Sequence, residues 1–386
     1  MNTSINRARF LDVHILQTLP YSNVNRDDLG SPKTVTFGGT TRTRVSSQAW
    51  KRPTRKAVEE LIGEKALRTR RLPMQVSTLL NEERGWPAEL AQFAGAQVVI
   101  STASKLALDK ERDKADQATA SLLFLPEDAV GRLADIAEQH RAALEKALGT
   151  KSAAGKPVLP KDEVHEVLRS RNGSIALFGR MLAEIPGAGV DGAVQVAHAF
   201  TTHSTSVQGD FFTAVDDVDQ WAQDAGSAHM NTAEFSSGVF YRYATIDLRD
   251  LASTVTDPAT ARELTTAFVS SFISSMPSAK KTSTAPHTIP DLVHVSVRAD
   301  RPVSYAAAFE KPVSPGEGGW AGPSRSALSA YAQKVDVLLG SDALVHRAYA
   351  GIDPAALDGL GDRAESFPGL VASAVEAAWK TEAVAA

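Results

Sequence analysis

Seven basic side chains, Lys33, Arg42, Arg44, Lys51, Arg52, Arg55 and Lys56, fall in one stretch that contains no acid, KTVTFGGTTRTRVSSQAWKRPTRK. Ammonium and guanidinium groups at that density can neutralise phosphates, the sequence-independent part of nucleic-acid binding. The competing explanation is a solvated charged surface, which charge alone does not exclude. A second set of residues could do acid–base or metal chemistry: His198, His203 and His229. On a strand, the spacing of His198 and His203 sends them to opposite faces. They could meet Asp216, Asp217 or His229 only if the strand ended between them. The adjacent pairs Asp27-Asp28 and Asp216-Asp217 diverge in any regular structure, so they suit caps and turns better than paired general acid and base work. Gly187-Ala-Gly-Val-Asp-Gly192 fits GxGxxG, but Pro186 precedes it and AVQVAHAF alternates like a strand where a dinucleotide site needs a helix. Neither a GxxxxGK[ST] phosphate loop nor a GxSxG nucleophile elbow occurs.

The basic stretch must be positioned by a hairpin and a helix. Val35 and Phe37 alternate with Thr34 and Thr36, Gly38-Gly39 makes a turn, and Thr40, Arg42 and Arg44 share one face of a second short strand. Ser46 and Ser47 offer a helix cap. Lys51, Arg52, Arg55 and Lys56 then form a stripe opposite Trp50, Ala57, Val58 and Leu61, with Pro53 suiting only the first turn of that helix. Phe211 and Phe212 are candidates for an apolar wedge beside bases.

Composition bounds the partners. The 386 residues carry 41 basic and 45 acidic side chains, a net charge of −4, so attraction to nucleic acid must come from charge distribution. That distribution is uneven, because 209–263 holds ten acids against Arg242, Arg249 and Arg262. Zero cysteines exclude a disulfide scaffold, a thiolate metal site and a cysteine nucleophile, and fit a reducing compartment. With no apolar leader and no run of about 18 apolar residues, a cytoplasmic protein is expected. No metal or cofactor is called for.

Periodicity predicts a strand at about 9–18 ended by Pro20, an all-helical block from about 63 to 171, strands at Ile175–Met181 and Val194–Phe200, and a long connection with few β signals from His203 to Gly238. The strand Val239–Leu248, a helix Pro258–Met276 and the strand Val293–Arg298 follow. A helical C-terminal region, its last helix starting at Ser366-Phe-Pro368, closes the chain. The order β-α-β-β-α-β is ferredoxin-like, the topology of RNA-recognition sheets.

Asn25-Arg-Asp-Asp28, Phe37-Gly-Gly39, Arg44-Val-Ser-Ser-Gln48 with Lys51-Arg52, Ala176-Leu-Phe-Gly-Arg-Met181, Val190-Asp-Gly with Ala197-His-Ala, Thr201-Thr-His203, Phe212-Thr-Ala-Val-Asp-Asp217, Gly226-Ser-Ala-His229 and Glu234-Phe-Ser-Ser-Gly-Val-Phe-Tyr-Arg-Tyr-Ala244 occur in that order. This set resembles the CasC backbone-subunit family of type I-E Cascade, a CRISPR RNA-guided surveillance assembly.

The resemblance implies an α+β fold: a ferredoxin-like, RRM-like palm from 1–62, 172–202 and 238–310, helical fingers at 63–171, a thumb at 203–237, and a C-terminal helical region at 311–386 packed on the palm. It implies a non-catalytic subunit whose copies form a helical filament along the guide RNA and present it in segments to target DNA. The implied partners are copies of itself, a guide-processing endoribonuclease, a 5′-end capping subunit, large and small subunits and a recruited nuclease-helicase. There is no membrane partner. Carried over, Arg26, Ser46, Gln48, Lys51, Arg52 and Arg55 contact guide phosphates, Arg42 and Arg44 fit the same surface, and Met181 and Phe212, with Phe211 adjacent, wedge beside a displaced nucleotide. Lys146, Lys151, Lys156 and Lys161 occupy the region that faces target DNA in the family. The alternative from another class is an RNA-processing endoribonuclease using His198, His203 or His229.

Overall fold

The computed structural model describes residues 4–6, 8–109, 117–150, 155–214 and 229–383. The chain divides into two compact units, one of residues 1–58 with 194–386 and one of residues 59–193.

In the first unit ten strands join one mostly antiparallel sheet among the described residues. They are β1 (Phe10–Ser22), β2 (Thr34–Phe37), β3 (Thr40–Val45), β4 (Val194–Val196), β5 (Ala199–Thr201), β6 (Gln208–Ala214), β7 (His229–Asp247), β8 (Leu292–Arg298), β9 (Leu344–Gly351) and β10 (Asp362–Arg363). Their order across the sheet is β10-β9-β8-β1-β7-β5-β3-β2, with β4 and β6 also paired to β7. β1 lies between β7 and β8 and both its faces are covered, so Asp12 and His14 are as buried as Leu11, Val13 and Ile15.

The strand does not stop at Pro20. It runs on to Ser22, because the register with β7 shifts between Ser236 and Gly238, and the bulge there leaves Pro20 without a ladder bond to supply. One face packs on helix α3 (Ala321–Leu339) and the 306–309 turn through Leu16, Tyr241, Tyr305, Phe309 and Leu328. On the other, Leu19, Val45, Phe240 and Trp50 pack together. Trp50 belongs to helix α1 (Ser47–Ile62). Asp257 caps α2 (Pro258–Ser274), and Ser366 Oγ accepts from Gly369 N to cap α4 (Phe367–Ala378), the start expected at Ser366.

The second unit is not all helical. Ala66–Thr69 pairs antiparallel with Leu123–Pro126, and helices 72–78, 88–100, 129–139, 141–148 and 161–169 contribute Leu72, Val76, Leu90, Val98, Leu133, Leu144, Val164 and Leu168 to its core. Gly63, at φ +69°, ends α1, and Pro73 opens the next helix, so the start of the expected helical block is interrupted. Ile175–Met181 is not a strand. Asn172 Oδ1 accepts from Ile175 N at 3.0 Å and caps a helix over Gly173–Phe178. Ile175, Ala176 and Leu177 are all buried, so alternation there carried no information about backbone period.

Candidate nucleic-acid interface

The basic stretch folds as a hairpin followed directly by a helix. β2 and β3 pair with Phe37 opposite Thr40, leaving Gly38 and Gly39 as a two-residue turn at φ +61° and +76°. Asn25 ties the strand end to the helix start: Lys33 N donates to Asn25 O at 3.0 Å, and Ser46 N to Asn25 Oδ1 at 2.8 Å. Arg44 N donates to Lys33 O at 2.7 Å. These bonds gather Arg26, Lys33, Arg44 and the first turn of α1. Asp27 Oδ1 accepts from Leu29 N and Ser31 N, the turn role expected of that pair.

α1 begins at Ser47, six positions before Pro53, and not near the proline as the ring's usual preference suggested. Pro53 therefore sits inside the helix, while Thr54 Oγ1 donates to Trp50 O at 2.9 Å one turn back. Trp50 and Val58 face the core, and Arg242 lies over the Trp50 ring with its guanidinium carbon 3.8 Å from the centroid. Burial pulls the Arg242 pKa down to about 9. Gln48, Arg52 and Lys56 are exposed and Lys51 and Arg55 half-buried, so the basic stripe is on the outside as its spacing predicts. Leu61, expected on the apolar side, is 61% exposed.

Two residues of the expected phosphate surface lie elsewhere. Ser46 is buried, and its hydroxyl sits 3.4 Å from Ala49 N at the helix start. Arg42 is completely buried. Its Nε donates to Thr40 Oγ1 at 3.0 Å, Nη1 to Thr201 O at 2.8 Å, and Nη2 to Phe309 O at 3.0 Å and Glu310 O at 3.3 Å. The period of two did place Arg42 and Arg44 on one face, but the 306–310 segment covers Arg42. Arg44 stays half-exposed with Nη1 2.9 Å from His198 Nδ1. Partial burial, then the charges of Arg44 and Lys33, hold the His198 pKa below its ordinary value.

His203 is a structural residue. Its Nδ1–H donates to Ser204 O at 2.9 Å, its Nε2 accepts from Val239 N at 3.1 Å, and its ring stacks on Trp320 at 4.2 Å. Both ring nitrogens are occupied, which opposes an acid–base role, and burial lowers its pKa. His229 begins β7 opposite Ala214. Asp216 and Asp217 lie outside the described residues. Among the described residues no group of three His, Asp or Glu could hold a metal.

Between His203 and Gly238 the structure contains strands that periodicity did not signal. β6 pairs with the first part of β7, with Phe211 opposite Thr232 and Phe212 opposite Asn231. Phe211 is 64% and Phe212 44% exposed, as is Met230 at 63%. A ribbon with both faces open has no buried face to impose alternation, and only the β-forming Phe-Phe-Thr run hinted at it. Val215, Val218, Trp221 and Ala222, whose spacing in the sequence is helical, lie outside the described residues.

In the 59–193 unit, Met181 is 93% exposed at the rim of an open cleft of about 820 Å³ lined by Arg68, Phe178, Arg180, Ile185 and Val190. Gly192, the last glycine of the GxGxxG match, packs against Gly179: an added Cβ would stand 2.6 Å from Gly179 N. The sequence after it forms β4, not a helix. Lys146, Lys156 and Lys161 are exposed, and Lys151 lies outside the described residues.

Sequence reasoning missed Asn25 as the pin between hairpin and helix, and the 303–313 segment that covers Arg42. Asn25 enters only as the first residue of the Asn25-Arg-Asp-Asp28 match, without a structural role. Among the described residues no helix is long and apolar enough to cross a membrane.

The comparison with curated proteins returned no match. Two solved chains are similar to this one over nearly their whole length. One, from a "CRISPR RNA-guided surveillance complex, pre-nicking", has 48% identity and a TM-score of 0.90, the match covering 96% of this chain and 100% of that one. The other, from a "CRISPR RNA-guided surveillance complex", has 42% identity and a TM-score of 0.80, covering 95% and 99%. The model of the family described as CT1975-like protein matches residues 11–372, nearly the whole of the sheet unit and all of the 59–193 unit, so the chain belongs to the CT1975-like protein family.

Proposed function

We propose that this chain is a backbone subunit of a CRISPR RNA-guided surveillance complex. In that role several copies bind one guide RNA as a filament and hold it for pairing with target DNA. The carrying observation is 48% identity across the full length of a chain from such a complex. The exposed basic hairpin and helix supply what the role needs, cations undiluted by acids beside a sheet. The strand order β8-β1-β7-β5, with α1 and α2 as the connecting helices, supports a ferredoxin-like palm. The 63–171 segment is then the fingers, 203–237 the thumb, and 311–386 a region docked on the palm.

Arg26, Arg44, Gln48, Lys51, Arg52 and Arg55 are the proposed guide contacts, through side chains that read backbone and leave sequence to base pairing. Met181 and Phe212, with Phe211, are the proposed wedges beside a displaced nucleotide, and Lys146, Lys151, Lys156 and Lys161 are proposed to face target DNA. Guide-processing, end-capping, large and small subunits and a nuclease-helicase complete the assembly, and this subunit itself breaks no bond.

The test is co-purification. The wild-type complex carries RNA, raising its ratio of absorbance at 260 to 280 nm well above that of protein alone. Lys51→Glu with Arg55→Glu loses that RNA while the protein keeps its circular dichroism spectrum. Retention of the same RNA by the double variant would remove this face from the assignment.

A further inference from the structure

Arg42 lies in the most basic stretch of the chain, yet none of its charge reaches solvent. All four of its hydrogen-bond acceptors are neutral oxygens, and they belong to three separate places: Thr40 Oγ1 in its own strand, Thr201 O in β5, and Phe309 O and Glu310 O in the turn after β8. A planar guanidinium can span these in fixed directions, whereas an ammonium cannot reach them together.

The covering segment is itself anchored to the sheet. Val303 N donates to Asp12 Oδ2 at 3.0 Å, Tyr305 N to Tyr241 Oη at 2.9 Å, and Val313 N to Thr202 O at 3.0 Å. It also presses on the hairpin turn. A Cβ on Gly38 would stand 1.6 Å from Glu310 O, so the turn and the strap meet backbone to backbone. Phe37 packs edge-on against Phe200 at 5.0 Å on the same hairpin. The hairpin is thus gripped at its turn by 309–310 and at its base by Asn25.

We infer that Arg42 is a positioning residue, a buried tie that locks the basic hairpin to the 303–313 strap and so sets the orientation of Arg44 and Lys33 toward the guide. The inference rests on the RNA-binding reading above for its consequence, though not for the tie itself. It gives the segment after β8 a role in guide binding without a contact to RNA. It also removes Arg42 from the phosphate contacts.

The test uses the full chain with Arg42→Lys, Arg42→Gln and, as a phosphate-contact comparator, Arg44→Gln. Two quantities are measured: amide hydrogen exchange of 33–45 and 303–313 without RNA, and affinity for a single-stranded RNA oligonucleotide across a salt series. Arg44→Gln should leave exchange unchanged and lower the slope of log affinity against log salt by about 0.7, one phosphate.

Both Arg42 variants should raise exchange in both segments together, weaken binding at least about tenfold and lower the slope by more than one contact's worth. Gly38→Ala, with every charge intact, should do the same, and it covers the case in which the Arg42 variants fold poorly. Three outcomes would each overturn the inference. These are wild-type behaviour of Arg42→Lys, a one-phosphate slope change with unaltered exchange, and faster exchange with unaltered affinity per folded molecule. If the wild-type chain bound no RNA, the functional reading would fall, and the exchange measurement would still decide the tie.

Discussion

His14, His203 and His294 are buried, and burial holds all three below the ordinary imidazole value, His294 at about 3. His14 lies opposite His294 in the sheet, its ring 4.1 Å from Tyr305 and its Nδ1 2.9 Å from Tyr241 Oη. A lowered histidine favours the folded state above its unfolded pKa near 6.5, and that contribution is lost as pH falls toward the folded value. Asp12 works the other way. Burial raises it to about 6, so it costs stability as pH rises from about 4 to 6. All three histidines act in the same sense against one carboxyl, so unfolding free energy should fall between pH 6.5 and pH 5, by up to about 2 kcal/mol from His294 alone, less the Asp12 gain. Urea titrations at the two pH values check this, and His294→Phe should flatten the difference. An equal midpoint at both would mean that the imidazoles are not kept neutral.

At the scale of elements, the parts built on a buried face were legible in the sequence. The β2–β3 hairpin, α2 and the basic stripe of α1 follow from period and turn chemistry, and β8, though buried on both faces, from its alternation of valines with polar residues. Three kinds of element were not legible. Residues 173–178 are buried all round, so Ile175 and Leu177 fit either period. β6 is open on both faces, so Phe211 and Phe212 show none. Arg42 and Arg44 share a face by spacing, but what covers one of them comes from Phe309 and Glu310, distant in sequence and invisible to any local pattern. The glycine match at 187–192 leads into β4, not a helix, and Gly192 is constrained by contact with Gly179. Gly192→Ala should therefore destabilise the protein by about 1 to 3 kcal/mol. Gly189→Ala, where the nearest atom stands 3.9 Å from the added Cβ, should stay within about 0.5 kcal/mol. Equal denaturation midpoints for the two variants would refute the close-approach account.

Over the whole molecule, a net charge of −4 contrasts with one acid-free stretch of seven basic residues, so the proposed attraction to a polyanion would have to come from that region against repulsion elsewhere. Exposed apolar side chains are divided between the two units, Met181 in one and Phe211, Phe212 and Met230 in the other. Met181→Ala and Phe212→Ala should each leave the thermal midpoint of the chain nearly unchanged, since neither side chain is in a core. Each should weaken target engagement by the assembled complex by about 1 to 3 kcal/mol, the contribution of one stacked base. A DNA-binding titration of the complex decides it, with unaltered affinity counting against the wedge. The neutral cage around Arg42 has one more consequence. Ion pairs loosen when salt rises, but a guanidinium held by buried carbonyl oxygens has no counter-ion to lose. If the surface holds RNA as proposed, salt strong enough to strip it should therefore leave the surface formed, so release would be reversible without refolding.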